Sequence, residues 1–218
     1  MELAEKVSPE HTAVIVVDMQ NDFCTEGGAM DTIGLGTGLQ PIREMIPALA
    51  RFLDDARATD VPIVYIQAVY NSDDNRYLSP VWLEHAERRR GGLYTTIPLC
   101  REGSWGAEVI DEIAPRPGEL VVQKHRYSAF IDTPLQQLLR NRGIKTILVT
   151  GVGTNGCVEC TARDGFMLDF FTITVRDCCA TYWPEQHESS LRDLDILFGQ
   201  VLNSDEIVGC WKPVAALA

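Results

Sequence analysis

Short apolar runs recur along the chain, separated by longer segments whose apolar positions fall three and four residues apart. Ala13–Val17 (AVIVV), Pro62–Gln67 (PIVYIQ), Glu119–Gln123 (ELVVQ), Ile144–Thr150 (IKTILVT) and Phe171–Val175 (FTITV) are β-rich runs. Runs of this kind suit parallel strands buried on both faces. Between them, Ile42, Met45, Ile46, Leu49, Phe52 and Leu53 mark a helix over Pro41–Thr59, which Pro47 should kink or divide in two. Thr133-Pro134 opens a helix that runs to Arg142, before Gly143. From Cys157 the pattern is again helical, with Val158, Ala162, Phe166 and Phe170 near one face. A short helix is expected over Ala107–Ile113, a longer one over Glu185–Leu202, and a short sixth strand over Glu206–Val208. Residues 1–12 read as a loose lead-in and Gly27–Gly38 as a loop over the sheet edge.

Strands alternate with helices, which predicts an α/β fold: one doubly wound, mostly parallel six-stranded sheet with helices on both faces. No repeat or linker interrupts it, so residues 1–218 are expected to form a single domain. The exception to the alternation is Ala68–Cys100, which is long, mixed and aromatic (Tyr70, Tyr77, Trp82, Tyr94), as lids and binding loops often are. Its run Glu87-Arg88-Arg89-Arg90 reads as a solvated face.

At 218 residues and 45% hydrophobic content the chain can bury a sizeable core. A net charge of −12 argues against nucleic acid and anionic membrane as partners. No apolar stretch is long enough to span a bilayer, and the N-terminus lacks the basic and apolar regions of a signal peptide. Seven cysteines at irregular spacing, two of them adjacent, suit a reduced, cytoplasmic protein rather than a disulfide framework.

The chemistry centres on Thr146–Arg163, TILVTGVGTNGCVECTAR. A strand, a glycine turn and a helix place Cys157 at the carboxyl edge of the sheet, where open α/β sheets bind ligands. A helix N-terminus there should depress the thiol pKa and favour the thiolate. Three functional readings compete. Cys157 can be a nucleophile; Gly151, Gly153 and Gly156 fit G-x-G-x-x-G, with Asp177 as a ribose-binding acid; or Cys157 and Cys160 form a redox or metal C-x-x-C. A structural turn with inert buried cysteines is the plain alternative. Too little chain follows Gly156 for a dinucleotide fold, and the C-x-x-C comes late for a thioredoxin-like motif. The four histidines lie at scattered positions that suggest no metal site. Asp18 and Lys124 also end apolar runs. If the first, third and fourth strands are neighbours, Asp18, Lys124 and Cys157 converge as base, orienting charge and nucleophile. Backbone N–H groups of Gly153 and Cys157 would then face the oxyanion.

The pieces IVVDMQNDF, K-x-R-Y-S-x-F at 124–130 and TGVGTNGCVECTARDGF resemble the isochorismatase-like cysteine hydrolases. The resemblance implies a catalytic triad of Asp18, Lys124 and Cys157 and a cis peptide bond at Val152–Gly153. Within that family KHRYSAFIDTPLQQLLRNRGI and CVECTARDGFMLDFF are most similar to ureidoacrylate amidohydrolases and related ureide hydrolases. This implies cleavage of a linear amide or ureido C–N bond, with Phe23, Gln67, Tyr70 and Tyr127 as substrate-binding residues and no cofactor or metal. Ala68 and Tyr70 stand where ureidoacrylate enzymes carry Asn and Trp, which leaves the substrate open. The nicotinamidase branch needs a D-x-H after the second strand that QAVYN lacks, and the isochorismate (vinyl-ether) branch often lacks the cysteine. A small-molecule substrate and a homo-oligomer, dimer or tetramer, are implied. A ligand-binding module built on the glycine turn, or a degenerate member serving in protein interaction, are the alternatives from other classes.

Overall fold

The structure, a computed structural model, describes residues 1–89 and 93–211. In chain order the elements are α1 (Leu3–Lys6), β1 (Thr12–Val17), α2 (Asn21–Cys24), α3 (Ala29–Ile33), α4 (Gln40–Ala58) and β2 (Ile63–Ala68). Then follow α5 (Pro80–Arg89), β3 (Leu120–Lys124), α6 (Leu135–Asn141), β4 (Thr146–Val152), a π turn over Thr154–Val158 and α7 (Glu159–Met167). The chain continues with β5 (Phe171–Ala180), α8 (Pro184–Leu197), β6 (Gln200–Leu202) and α9 (Ser204–Trp211).

The six strands form one sheet in the order β3-β2-β1-β4-β5-β6, parallel at every pairing. Alternation along β1 divides the core in two. Val14 and Val16 pack on the α4 side, where the Phe52 ring stacks 5.6 Å from Trp211 of α9. Ala13, Ile15 and Val17 pack on the other side with Leu135 and Leu139 of α6 and Ala162 of α7. Both faces are covered, as apolar strands of period two require.

Several elements depart from the sequence reading. The lead-in carries α1 and a 3-10 turn at Pro9–His11, and the glycine-rich segment carries α3. Pro47 does not divide α4: it lies on the exposed side of an unbroken helix whose Ile42, Met45, Ile46, Leu49, Phe52, Leu53 and Ala56 are buried. Burial of that stripe outweighs the roughly 3 kcal/mol a proline costs a helix interior. The 68–100 connection holds α5, and 107–113 holds two 3-10 turns, Trp105–Ala107 and Asp111–Ile113, in place of a helix. Glu87 and Arg88 are exposed, while Arg90 lies outside the described residues, as does the tail beyond Trp211.

The sixth strand is Gln200–Leu202, and Glu206–Val208 is helical. Buried Ile207, Val208 and Trp211 show the spacing of a helix face, which three residues could not reveal. Helix α8 stops at Leu197 because Gly199 brings the chain against β5. A Cβ there would lie 2.1 Å from the Thr172 carbonyl oxygen, and its φ is +140°. Of the helical face expected from Cys157, Val158 and Ala162 are buried, but Phe166 is exposed and Phe170 lies beyond the helix.

Candidate active site

β1 ends at Val17, and Asp18 turns in the left-handed region, φ 53°, with its N–H held by the Ile66 carbonyl at 3.0 Å. β4 ends in the turn that carries Cys157. Gly151 lets β4 approach β1 there, since a Cβ would stand 2.1 Å from the Val17 oxygen. β1 and β4 are neighbours, but β3 is not adjacent to either: β2 lies between β1 and β3. The convergence expected from three neighbouring strands is reached differently. Lys124 is paired with Ala68, whose small side chain lets the lysine cross the end of β2.

Lys124 Nζ lies 2.8 Å from Asp18 Oδ2, and both side chains are at most 1% exposed. The same nitrogen donates to Cys157 Sγ at 3.3 Å, to the Arg126 carbonyl at 3.0 Å and to Tyr70 OH at 3.4 Å. Tyr70 OH lies 3.8 Å from Sγ. A thiol, a carboxylate and an ammonium group therefore share one buried site. The Asp18 carboxylate is engaged by the Lys124 ammonium, the Cys157 thiol and the Ala68 N–H, which puts it in line with the thiol proton.

Burial dominates the electrostatics. It pushes the Cys157 thiol up to about 12, reinforced by the Asp18 charge and opposed by Lys124. Enclosure therefore works against the thiolate that a helix N-terminus would favour. Burial also raises the Asp18 carboxyl, against the Lys124 charge. Burial alone would lower Lys124, but the Asp18 charge and the hydrogen bonds to Asp18 and Cys157 outweigh it and keep the ammonium protonated. Deprotonation of Cys157 requires a base at hand.

The residues around the cluster fix its walls. Gln20 is fully buried; its amide donates to the Ala68 and Ala107 carbonyls, both at 2.8 Å, and accepts from Ala68 N at 2.7 Å. Asp22 accepts from Cys100 N at 2.6 Å and Ala29 N at 3.0 Å. Asp18, Gln20 and Asp22 thus divide the DMQNDF motif between a carboxylate paired with Lys124 and two backbone clamps. The sequence reading missed both clamps. Trp82 of α5, named there only among the aromatics of the 68–100 segment, stacks on Tyr70 at 5.7 Å and meets Tyr127 edge-on at 4.7 Å. Behind the cysteine turn, α8 grips from the far side. Thr154 Oγ1 meets His187 Nδ1 at 2.8 Å, Asn155 donates to Gln186, and Ser190 donates to Glu159 at 2.6 Å.

Of the expected substrate residues, Tyr70 reaches the thiol and Tyr127 joins it through Trp82. Phe23 is a core residue whose carbonyl accepts from Tyr182 OH at 2.8 Å. The Gln67 amide is engaged elsewhere, donating to the Ala107 carbonyl at 2.6 Å and accepting from Gln123 at 3.2 Å. The Val152–Gly153 peptide bond is cis. Cys160 and the other cysteines are free, so C-x-x-C is not a disulfide. Asp177 accepts from Ser204 N and Oγ, at 2.8 and 2.6 Å, and serves the α9 start.

The fold and this edge define a doubly wound α/β protein whose buried Asp–Lys–Cys cluster lies where such sheets bind ligands. The chain belongs to the isochorismatase family: the Isochorismatase domain model matches residues 12–206. It is 36% identical to ureidoacrylate amidohydrolase RutB of Enterobacter sp. (strain 638), over 89% of this chain and 86% of that one. Among solved structures, N-carbamoylsarcosine amidase from Thermoplasma acidophilum superposes with a TM-score of 0.69 at 27% identity, covering 89% of this chain and 97% of that one. A cysteine hydrolase from Pseudomonas syringae pv. phaseolicola gives 0.80 at 26% identity, covering 94% of each.

Proposed function

We propose that the chain is a cysteine-dependent amidohydrolase that cleaves a linear amide or ureido C–N bond and releases ammonia or an amine. The observation that carries this reading is the contact of Lys124 Nζ with both Asp18 (2.8 Å) and Cys157 (3.3 Å) in a closed site. Asp18 takes the Sγ proton, and the thiolate attacks the carbonyl carbon. The N–H groups of Gly153 and Cys157 receive the oxyanion, and Asp18 returns the proton to the departing nitrogen. Water, deprotonated by Asp18, then attacks the acyl- or carbamoyl-enzyme. The product is a carboxylic acid, or a carbamate from a ureide, and the thiol is regenerated. Lys124 balances the charge of Asp18 and of the developing thiolate throughout. The relatives named for ureidoacrylate and N-carbamoylsarcosine support a ureide as substrate.

The same reading places the protein in the cytoplasm as a homo-oligomer. Seven free thiols suit a reducing compartment, and no helix among the described residues is long and apolar enough to cross a membrane. Ammonia release from a panel of small amides and ureides, by wild type and Cys157→Ser, tests the chemistry. Release from one class, abolished by the substitution, is the expected result; full activity in Cys157→Ser overturns the reading.

A further inference from the structure

Tyr70 is the first aromatic residue of the 68–100 segment, and both its backbone and its ring are fixed. The Val69 N–H, bound to the Lys124 carbonyl at 2.9 Å, carries the β2–β3 pairing one residue past the strand, and the Tyr70 N–H then donates to the Cys100 carbonyl at 3.1 Å. The ring stacks on Trp82 at 5.7 Å and meets Tyr94 edge-on at 5.4 Å. Tyr70 is 1% exposed, so a phenol has been taken out of water at the carboxyl edge of the sheet. A buried hydroxyl needs polar partners. Among the described residues the Tyr70 oxygen has two, Lys124 Nζ at 3.4 Å and Cys157 Sγ at 3.8 Å.

The direction of these contacts follows from where the protons are. An ammonium group can only donate, so Tyr70 accepts from Lys124 and its own hydrogen is left for the sulfur. The thiol proton is turned toward Asp18, which leaves the sulfur lone pairs to accept. Lys124 cannot serve the sulfur alone. It has three N–H groups for four acceptors: Asp18 at 2.8 Å, the Arg126 carbonyl at 3.0 Å, Sγ at 3.3 Å and Tyr70 at 3.4 Å. The two nearest oxygens hold two of those groups, and sulfur and phenol share the third. Tyr70 is therefore a second donor at the sulfur, and one that keeps its proton, because burial holds the phenol well above its ordinary range. An anion formed out of water depends on the donors already aimed at it.

We propose that Tyr70 is a catalytic residue whose hydroxyl donates to Cys157 Sγ and stabilises the thiolate formed when Asp18 takes the proton. The proton moves from Sγ to an Asp18 oxygen, the electron pair stays on sulfur, and Tyr70 loses nothing. The inference deepens the amidohydrolase reading and rests on it for turnover. It differs from a contact with substrate, since a tyrosine that only lines the pocket leaves the thiol of the free enzyme as reactive as before.

The experiment compares wild type with Tyr70→Phe, which removes one oxygen, keeps the stacked ring and leaves Lys124 an acceptor for each N–H. Without substrate, iodoacetamide labelling at Cys157 is followed by mass spectrometry at pH 7, with the fully buried Cys24 and Cys178 as the control for an intact fold. A hydrogen bond to a charged group is worth ~10- to 100-fold in thiolate fraction, and the more basic thiolate recovers about half of that, on a logarithmic scale, in nucleophilicity. Labelling of Tyr70→Phe should therefore fall on the order of 3- to 10-fold. The kcat/KM for ammonia release should fall by a similar factor on every amide or ureide that wild type cleaves. Equal labelling rates, a fall confined to KM for particular substrates, or a wild-type Cys157 that does not label overturns the Tyr70 assignment. Full ammonia release by Cys157→Ser overturns the amidohydrolase reading instead, and labelling still decides whether Tyr70 stabilises the thiolate.

Discussion

Asp18 sits where a parallel sheet delivers a side chain to its carboxyl edge, and its backbone there is left-handed, φ 53°. Its carboxylate is fully desolvated and has one charged partner, Lys124. The proposed mechanism asks this one group to take a proton from a thiol held at about 12. Asp18→Asn keeps the volume and removes the base. The expected loss in kcat/KM is on the order of a hundred- to ten-thousand-fold, with the fold retained, and an unchanged rate would remove Asp18 from the chemistry. The pH profile adds a second check. Burial raises the Asp18 carboxyl above its ordinary 3.8, so the carboxylate form is lost on the acid side. Activity should fall as pH drops through a value above the usual carboxylate range, and an acid limb at or below 3.8 would contradict the environment described. Asp18, Lys124 and Cys157 were each legible in the sequence because each ends an apolar run. Gln20 and Asp22 were not, since nothing in the sequence marks which backbone groups a loop amide or carboxylate will satisfy.

At the level of elements, the π turn that carries Cys157 is held by α8 as well as by its own strand. Gln186, His187 and Ser190 lie along one stretch of α8 and meet Asn155, Thr154 and Glu159. His187 is mostly enclosed, and burial lowers its pKa below 6.5, with the Glu188 charge opposing and Arg176 adding to the fall. The folded state thus prefers neutral His187, whose Nδ1 can accept from Thr154. Between the unfolded and folded pKa values the unfolded chain binds more protons, so stability rises with pH through that window. Its His187 contribution is present above about pH 6.5 and is lost as pH falls toward the folded value. Urea melts between pH 5 and 8 should show this slope in wild type and a smaller one in His187→Asn. Identical slopes would show that the contact does not titrate. The sequence exposed α8 as a helix but ran it on to Leu202, because apolar residues continue at helical spacing past Gly199. The stop came from a backbone approach to Thr172, a tertiary constraint that local periodicity does not carry.

For the whole molecule, the alternation of strands and helices was enough to give a six-stranded α/β sheet, while the strand order, with β2 between β1 and β3, is set by long-range pairing that local pattern does not carry. The sheet also has two ends with different tasks. Its carboxyl edge holds the polar cluster. Near its amino edge, Phe166, Met167, Phe171, Ile196 and Leu197 are large apolar side chains at 41–71% exposure, drawn from α7, the start of β5 and the end of α8. Phe166 meets Phe198 edge-on at 6.0 Å, and Phe166, Phe170 and Phe171 line one shallow cavity of about 190 Å³. Apolar residues grouped on a surface mark interfaces more often than they are left to water. A second copy of this chain docked there would leave the active-site edge clear, which is the arrangement the proposed homo-oligomer needs. Met167→Glu combined with Leu197→Glu puts charges on two of its exposed side chains without touching the buried core or the Cys157 turn. Sedimentation or light scattering should show wild type as an oligomer and the double variant as a monomer, with kcat per chain kept. A wild-type chain that is monomeric at micromolar concentration, or a double variant that still assembles, would move the interface away from this end of the sheet or remove it.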